Sequence, residues 1–272
     1  VTSFRFAHLS DLHFLSLSFG LSQFFSKRWI GNLNLLLRRR REFDHSLLQE
    51  LLPLFAREKL DFVLLSGDVS CSSLEQEFLQ AQSFTQQVER LGIPVISLPG
   101  NHDHYTRKAA KERTFYKFFP SDELREQRLS VKPLQEPWWL ITLDTTISTP
   151  LFCCHGAFSE EIEHRLHASL ATLPPDAKVI LANHFPLQHP SLALQREKAL
   201  LALLQRYPQI KLYLHGHTHQ RSIRDARALG LPILVDAGSV SHKHKGSWTL
   251  ITCTPTSSAI QPIIWEKNHW TP

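Results

Sequence analysis

Phe4-Arg5-Phe6-Ala7-His8-Leu9 runs directly into Ser10-Asp11-Leu12-His13. A short run of bulky apolar residues that ends in a carboxylate and an imidazole reads as a buried strand with chemistry at its carboxyl end. The pattern recurs along the chain. Phe62–Leu65 leads into Ser66-Gly67-Asp68, the run 94–98 into Pro99-Gly100-Asn101-His102-Asp103, 179–182 into Asn183-His184-Phe185-Pro186, and 211–214 into His215-Gly216-His217-Thr218-His219. A further apolar run occupies 139–143.

Between these runs, 43–59, 74–91, 160–173 and 192–207 carry apolar residues at helical spacing among good helix formers. Strand and helix therefore alternate, as in an α/β protein. The last third changes character: 232–237, 247–252 and 259–265 are β-rich runs separated by Gly, Ser and Pro, and they predict an added antiparallel sheet. With no repeat and no low-complexity linker, residues 1–272 read as one domain. The segment 14–41 reads as an insertion into it.

In open α/β sheets, functional groups gather at the carboxyl ends of strands, so five such endings can converge on one site. Their side chains are imidazoles, carboxylates and one carboxamide, the donors that first-row divalent metals accept, with no thiolate among them. Extended-chain alternation predicts that Asp11 and His13, like His217 and His219, project from one face toward a common metal region. Gly67, Gly100 and Gly216 stand beside these candidates, where a missing Cβ permits close approach.

The ordered set DxH, GD, GNH followed by an acid, a lone His, and GHxH resembles the signature of the calcineurin-like metallophosphoesterases, and it spans the chain from Asp11 to His219. The resemblance implies a four-layer α/β/β/α sandwich: two mixed β-sheets flanked by helices. It also implies two transition-metal ions, divalent or trivalent, with Mn as the first expectation and Fe, Zn or Co as others. Asp11, His13, Asp68 and His219 would surround one metal. Asp68, Asn101, His184 and His217 would surround the other, with Asp68 bridging. His102 is the expected imidazole beside the leaving group or a phosphoryl oxygen, with Asp103 orienting it. The implied reaction is hydrolysis of a phosphomonoester, phosphodiester or pyrophosphate by a hydroxide bridging two cations about 3.5 to 4 Å apart.

Composition narrows the setting. The four cysteines, Cys71, Cys153, Cys154 and Cys253, form neither a CxxC pair nor a small secreted framework, and they read as reduced core or loop thiols. No N-terminal signal pattern precedes the first strand, and no apolar run is long enough to span a bilayer, so a cytoplasmic protein is expected. A formal charge of +5 suits an acidic partner such as phosphate, and sixteen His residues suit metal chemistry. His8 and His215, within apparent strands, read as packed core residues. His104 reads equally as a substrate contact or a solvent-facing loop residue. His242 and His244, alternating with Lys243 and Lys245, read as a basic loop.

The segment 14–41 has no acidic residue, carries Lys27, Arg28 and Arg38 to Arg41, and repeats Leu, Phe and Trp at near-helical intervals. Such a basic amphipathic element either packs on the core or lies on an anionic membrane surface and admits a lipid-bearing phosphate. The second option leads to a peripheral membrane enzyme acting on a lipid-linked pyrophosphate, as do the UDP-2,3-diacylglucosamine hydrolases of lipid A synthesis. A cyclic-nucleotide phosphodiesterase is the soluble alternative. A noncatalytic metal-bearing interaction scaffold is the alternative from another class. Nucleic acid ranks below these because the apolar residues are not spaced as stacking platforms. No heptad or other assembly signal bears on oligomeric state.

Overall fold

The computed structural model describes residues 3–16, 42–149, 153–189 and 194–272. Most of the segment 14–41 therefore lies outside the described residues.

Among the described residues, twelve strands form two six-stranded mixed sheets. The first contains β1 (Phe4–Leu9), β2 (Phe62–Leu65), β3 (Val95–Ser97), β10 (Ser247–Cys253), β11 (Ser258–Glu266) and β12 (His269–Thr271), in the order β12-β11-β10-β1-β2-β3. The second contains β4 (Leu129–Pro133), β5 (Trp138–Leu143), β6 (Lys178–Ala182), β7 (Ile210–His215), β8 (Ser222–Asp225) and β9 (Ile233–Asp236), in the order β4-β5-β6-β7-β9-β8. Strands β1, β2 and β3 are parallel, as are β5, β6, β7 and β9. The remaining pairs are antiparallel.

Both faces of each central strand are buried, which explains their near-continuous apolar sequences. Phe4 and Phe6 of β1 belong to one core with Leu140, Ile180, Leu212 and Leu214 of the second sheet. The alternate residues Ile141, Leu181 and Tyr213 enter a second core with Ile162, Leu166, Leu200 and Leu204 of the helices Glu160–Thr172 and Glu197–Arg206. On the outside of the first sheet, Trp248 meets Phe55 of the helix Leu51–Glu58, and Phe78 and Phe84 of the helix Glu75–Arg90 join the same core. Each such side chain, fully buried, contributes on the order of 2–3 kcal/mol. The expected sandwich of two mixed sheets flanked by helices is the observed one.

The last third corrects the expectation of an added sheet. Strand β9 pairs in parallel with β7, while β10 and β11 extend the first sheet beside β1. The β-rich runs complete the two existing sheets because those sheets still had open edges to cover. The expected helix over 43–59 is two helices, Ser46–Gln49 and Leu51–Glu58. Pro53 has no N–H to offer the carbonyl of Gln49, so the break falls just ahead of it. Strand β8 is exposed at all four positions and so carries no apolar pattern to read.

Candidate metal centre

The loops that follow β1 and β2 run side by side: Asp11 N–H donates to Gly67 O and His13 N–H to Asp68 O, both at 3.0 Å. The alternation expected of Asp11-x-His13 and His217-x-His219 is not what brings these side chains together. Asp11, His13, Asp68, His217 and His219 all have positive φ, between 48° and 73°. Left-handed backbone costs a non-glycine residue roughly 1–3 kcal/mol, so something must hold it. Here the carboxylates do part of that, Asp11 Oδ2 accepting from His217 N–H at 2.9 Å and Asp68 Oδ1 from His102 N–H at 2.8 Å. Gly216 faces the same crowding. A Cβ there would lie 1.8 Å from Ser10 Oγ and 2.4 Å from Asp11 Oδ2.

The side chains form two adjacent groups. In the first, Asp11 Oδ1 lies 3.4 Å from His13 Nε2 and 3.1 Å from His219 Nε2, and the two imidazole nitrogens are 2.9 Å apart. In the second, His184 Nε2 is 3.4 Å from Asp68 Oδ2, 3.2 Å from Asn101 Oδ1 and 3.2 Å from His217 Nδ1. Asp68 Oδ2 also lies 3.8 Å from His13 Nε2, so this oxygen stands between the groups. The donor atoms of Asp11, His13 and His219, and those of Asp68, His184 and His217, each lie within 4.8 Å of one another.

These residues fit a pair of metal ions by a test internal to the structure. Asp11 Oδ1 and Asp68 Oδ2 are buried without a hydrogen-bond partner, a costly state for polar atoms. Facing imidazole nitrogens beside carboxylate oxygens concentrate lone pairs that a cation would satisfy. His184 presents Nε2 because its Nδ1–H donates to Ser66 O at 2.7 Å.

Burial and mutual charge set the electrostatics. Burial pushes the Asp11 carboxyl up, but His219 and His13 outweigh it and hold the group well below the carboxylate range. Asp68 follows the same logic through His184 and His102. Burial alone would keep His184 neutral, yet Asp68 raises its pKa to about 9. Burial, reinforced by His184, lowers His217 to about 3. Buried Asp103 is raised to about 7, with Asp68 adding to the burial.

The expected pairing of Asp103 with His102 is corrected. The Asp103 carboxylate accepts from Ser70 N–H and Ser70 Oγ at 2.9 Å, from Gly100 N–H at 2.9 Å and from Val69 N–H at 3.3 Å. It ties the loop after β3 to the loop after β2. His102 Nδ1 instead donates to Cys71 O at 2.7 Å, and Tyr105 stacks on the His102 ring at 5.5 Å. His8 and His215 are buried, as expected. His104 is buried too, with Nδ1 2.6 Å from Thr146 Oγ1, which corrects the solvent-facing reading of it.

Several supporting residues escaped the sequence reading. Asp236, the last residue of β9, accepts from Thr218 Oγ1 at 2.6 Å and from Gly238 N–H at 2.8 Å, pinning the loop of His217 and His219. A signal was available, since Asp236 is one more carboxylate at a strand's carboxyl end. Ser239 Oγ donates to Asp11 O at 2.7 Å and Ser241 Oγ to Leu12 O at 2.6 Å, while His45 Nε2 lies 3.1 Å from both Leu12 O and His13 O. Phe43 pairs with His242 in an antiparallel bridge and packs its ring 4.9 Å from that of His13. None of these has a spacing that marks it.

Comparison with known proteins agrees with this geometry. A family model described as calcineurin-like phosphoesterase matches residues 4–221. A 3′,5′-cyclic-nucleotide phosphodiesterase of Nostoc sp. is 29% identical over 184 residues, 65% of this chain and 63% of that protein. The chain thus spans just under two thirds of that relative's length. The 3′,5′-cyclic adenosine monophosphate phosphodiesterase CpdA of Escherichia coli K12 is 26% identical over 214 residues, 73% of this chain and 69% of its own. Among solved structures, a dimetal phosphatase from Danio rerio superposes with a TM-score of 0.67 at 13% identity, covering 94% of this chain and 98% of that one. That likeness concerns the fold.

Proposed function

The chain belongs to the calcineurin-like phosphoesterase family, and from that premise we propose that it hydrolyses phosphodiester bonds with two metal ions. The observation that carries this reading is the position of Asp68 Oδ2, 3.8 Å from His13 Nε2 and 3.4 Å from His184 Nε2. Asp11, His13, Asp68 and His219 would hold one ion; Asp68, Asn101, His184 and His217 would hold the other, with Asp68 shared. Bound cations supply positive charge against phosphoryl oxygens and make water acidic enough to attack at neutral pH. Mn is the first choice for reconstitution, followed by Zn, Co and Fe.

The remaining work falls to the protein. The Cys71 carbonyl fixes the proton on His102 Nδ1, which leaves Nε2 as the variable position of a ring lying 5.0 Å from that of His13. Protonated there, His102 donates to a phosphoryl oxygen or to the departing oxygen. Asp103 acts through the backbone of Gly100 and Ser70, holding Asn101 and His102 in place.

Small soluble phosphodiesters, with 3′,5′-cyclic nucleotides first, are the proposed substrates, supported by the names of the two relatives. A lipid-linked pyrophosphate is the second reading. It is favoured by described residues beside the basic segment: Phe14 is bridged to Ser70, and the Phe43 ring lies 4.9 Å from that of His13 in the first group.

Metal-stripped protein reconstituted with each cation should turn over a cyclic nucleotide faster than a monoester or an acylated nucleotide-sugar pyrophosphate, and Asp68→Asn should reduce turnover at least about 1,000-fold. Preference for the acylated substrate would select the second reading. Two bound ions with no turnover of any of the three would instead support a metal-bearing scaffold.

A further inference from the structure

His8 lies on the face of β1 that turns toward the second sheet, in register with Thr249 of β10 and Leu64 of β2. It is fully buried, an expensive place for an imidazole unless its hydrogen bonds do something. Its Nε2 lies 2.8 Å from Ser66 Oγ. Ser66 is also the residue whose carbonyl accepts from His184 Nδ1 at 2.7 Å, and Gly67 and Asp68 follow it in sequence. Ser66 Oγ in turn donates to Leu9 O at 3.4 Å, which leaves the His8 ring as donor through Nε2–H.

We propose that His8 is a positioning residue for the second metal group, clamping Ser66 so that its carbonyl holds the His184 ring in the orientation that presents Nε2 to the cation. This rests on the two-metal reading. A carbonyl that orients a metal-bound imidazole is an outer-shell partner, and loss of such a partner typically lowers metal affinity by roughly 10–100-fold. His8 stabilises that partner from the interior, where no solvent can substitute for it.

The structure adds a condition that separates this role from packing. His8 Nδ1 and Thr249 Oγ1, on facing residues, are buried without a hydrogen-bond partner. A side chain kept only for packing at this position would be better as Phe, which fills the space and removes the uncompensated nitrogen. His8→Phe should therefore leave the melting temperature of the metal-free protein unchanged or raised.

The test is titration calorimetry with Mn, supported by the visible spectrum of the Co form. Wild type should show two binding events. His8→Phe and Ser66→Ala should each weaken one event by about tenfold, leave the other unchanged, and alter the Co absorption of the weakened site. Ser66→Thr, which keeps the hydroxyl, should restore it. Ser66→Ala keeps the question open to measurement if His8→Phe fails to fold. Unchanged affinities in both variants would overturn the role of His8 while leaving the two-metal reading intact. Equal weakening of both events would also overturn it, as general loosening. Absence of both events in wild type would overturn the two-metal reading together with this one.

Discussion

Gly216 illustrates how little room the site allows at a single residue. Any Cβ there falls 1.8 Å from Ser10 Oγ and 2.4 Å from Asp11 Oδ2, so both must move. Gly216→Ala should cost about 1–3 kcal/mol, read as a lowered urea midpoint. Because one of the displaced atoms belongs to the candidate ligand Asp11, metal-dependent turnover should fall by about 100-fold or more, measured at saturating metal. The ligand candidates themselves were legible from sequence because each follows an apolar run that could only be a strand. The left-handed backbone at Asp11, His13 and Asp68 was not, because an Asp or His carries no mark of its φ. Ser66, Ser239 and Ser241 were invisible for a related reason: a hydroxyl that supports a ligand through a main-chain carbonyl has no required spacing from it.

At the scale of elements, Asp144 joins pieces that share no motif. Located just past β5, it accepts from Tyr116 Oη at 2.8 Å and from Thr146 N–H at 3.0 Å, and it lies 3.3 Å from the Arg128 guanidinium that precedes β4. Burial pushes its carboxyl up, but Arg128 and these hydrogen bonds outweigh burial and hold it below 3.8. A carboxyl depressed in the folded state adds stability above its unfolded pKa, and that increment disappears as pH falls through the folded value. Wild type should therefore lose stability as pH falls below about 3.8, in proportion to this shift. Asp144→Asn, which strands Arg128, should cost about 3 kcal/mol at neutral pH and flatten that acid limb, as followed by urea unfolding at several pH values. Sequence showed β5 itself, but not this network, because Tyr116, Arg128 and Asp144 come from three separate elements. It also missed β4 and β8, the outer strands of the second sheet, where half-exposed or fully exposed positions leave no apolar period to read.

Across the whole molecule, each donor group draws on both sheets. Asp11 and His13 follow β1 and Asp68 follows β2, all in the first sheet, whereas His184 follows β6 and His217 and His219 follow β7 in the second. A bound cation therefore crosslinks the two halves of the sandwich at one edge. At free metal about 100 times the dissociation constant, each occupied site adds roughly 2.7 kcal/mol. The melting temperature should rise by about 5 to 10 °C per site on adding Mn and return on chelation, with the rise from both groups reduced in Asp68→Asn, which removes the shared carboxylate. A melting curve indifferent to metal would mean that the two halves are not joined there. The overall layering was within reach of sequence because alternation of strand and helix leaves few arrangements. The placement of β9, β10 and β11 was not, since strands that complete an existing sheet look the same in sequence as strands that build a new one.

The hydrogen bonds of Ser239, Ser241 and His45 to the carbonyls of Asp11, Leu12 and His13 carry a consequence for timing. A loop whose carbonyls are already engaged has few ways to swing, so ion capture has no rearrangement to wait for. In stopped-flow mixing of metal-free protein with Co, the observed rate should climb linearly with Co concentration. Its slope should change from one cation to another with the ease of shedding hydration water, and a plateau set by the chain would show that the loop has to close.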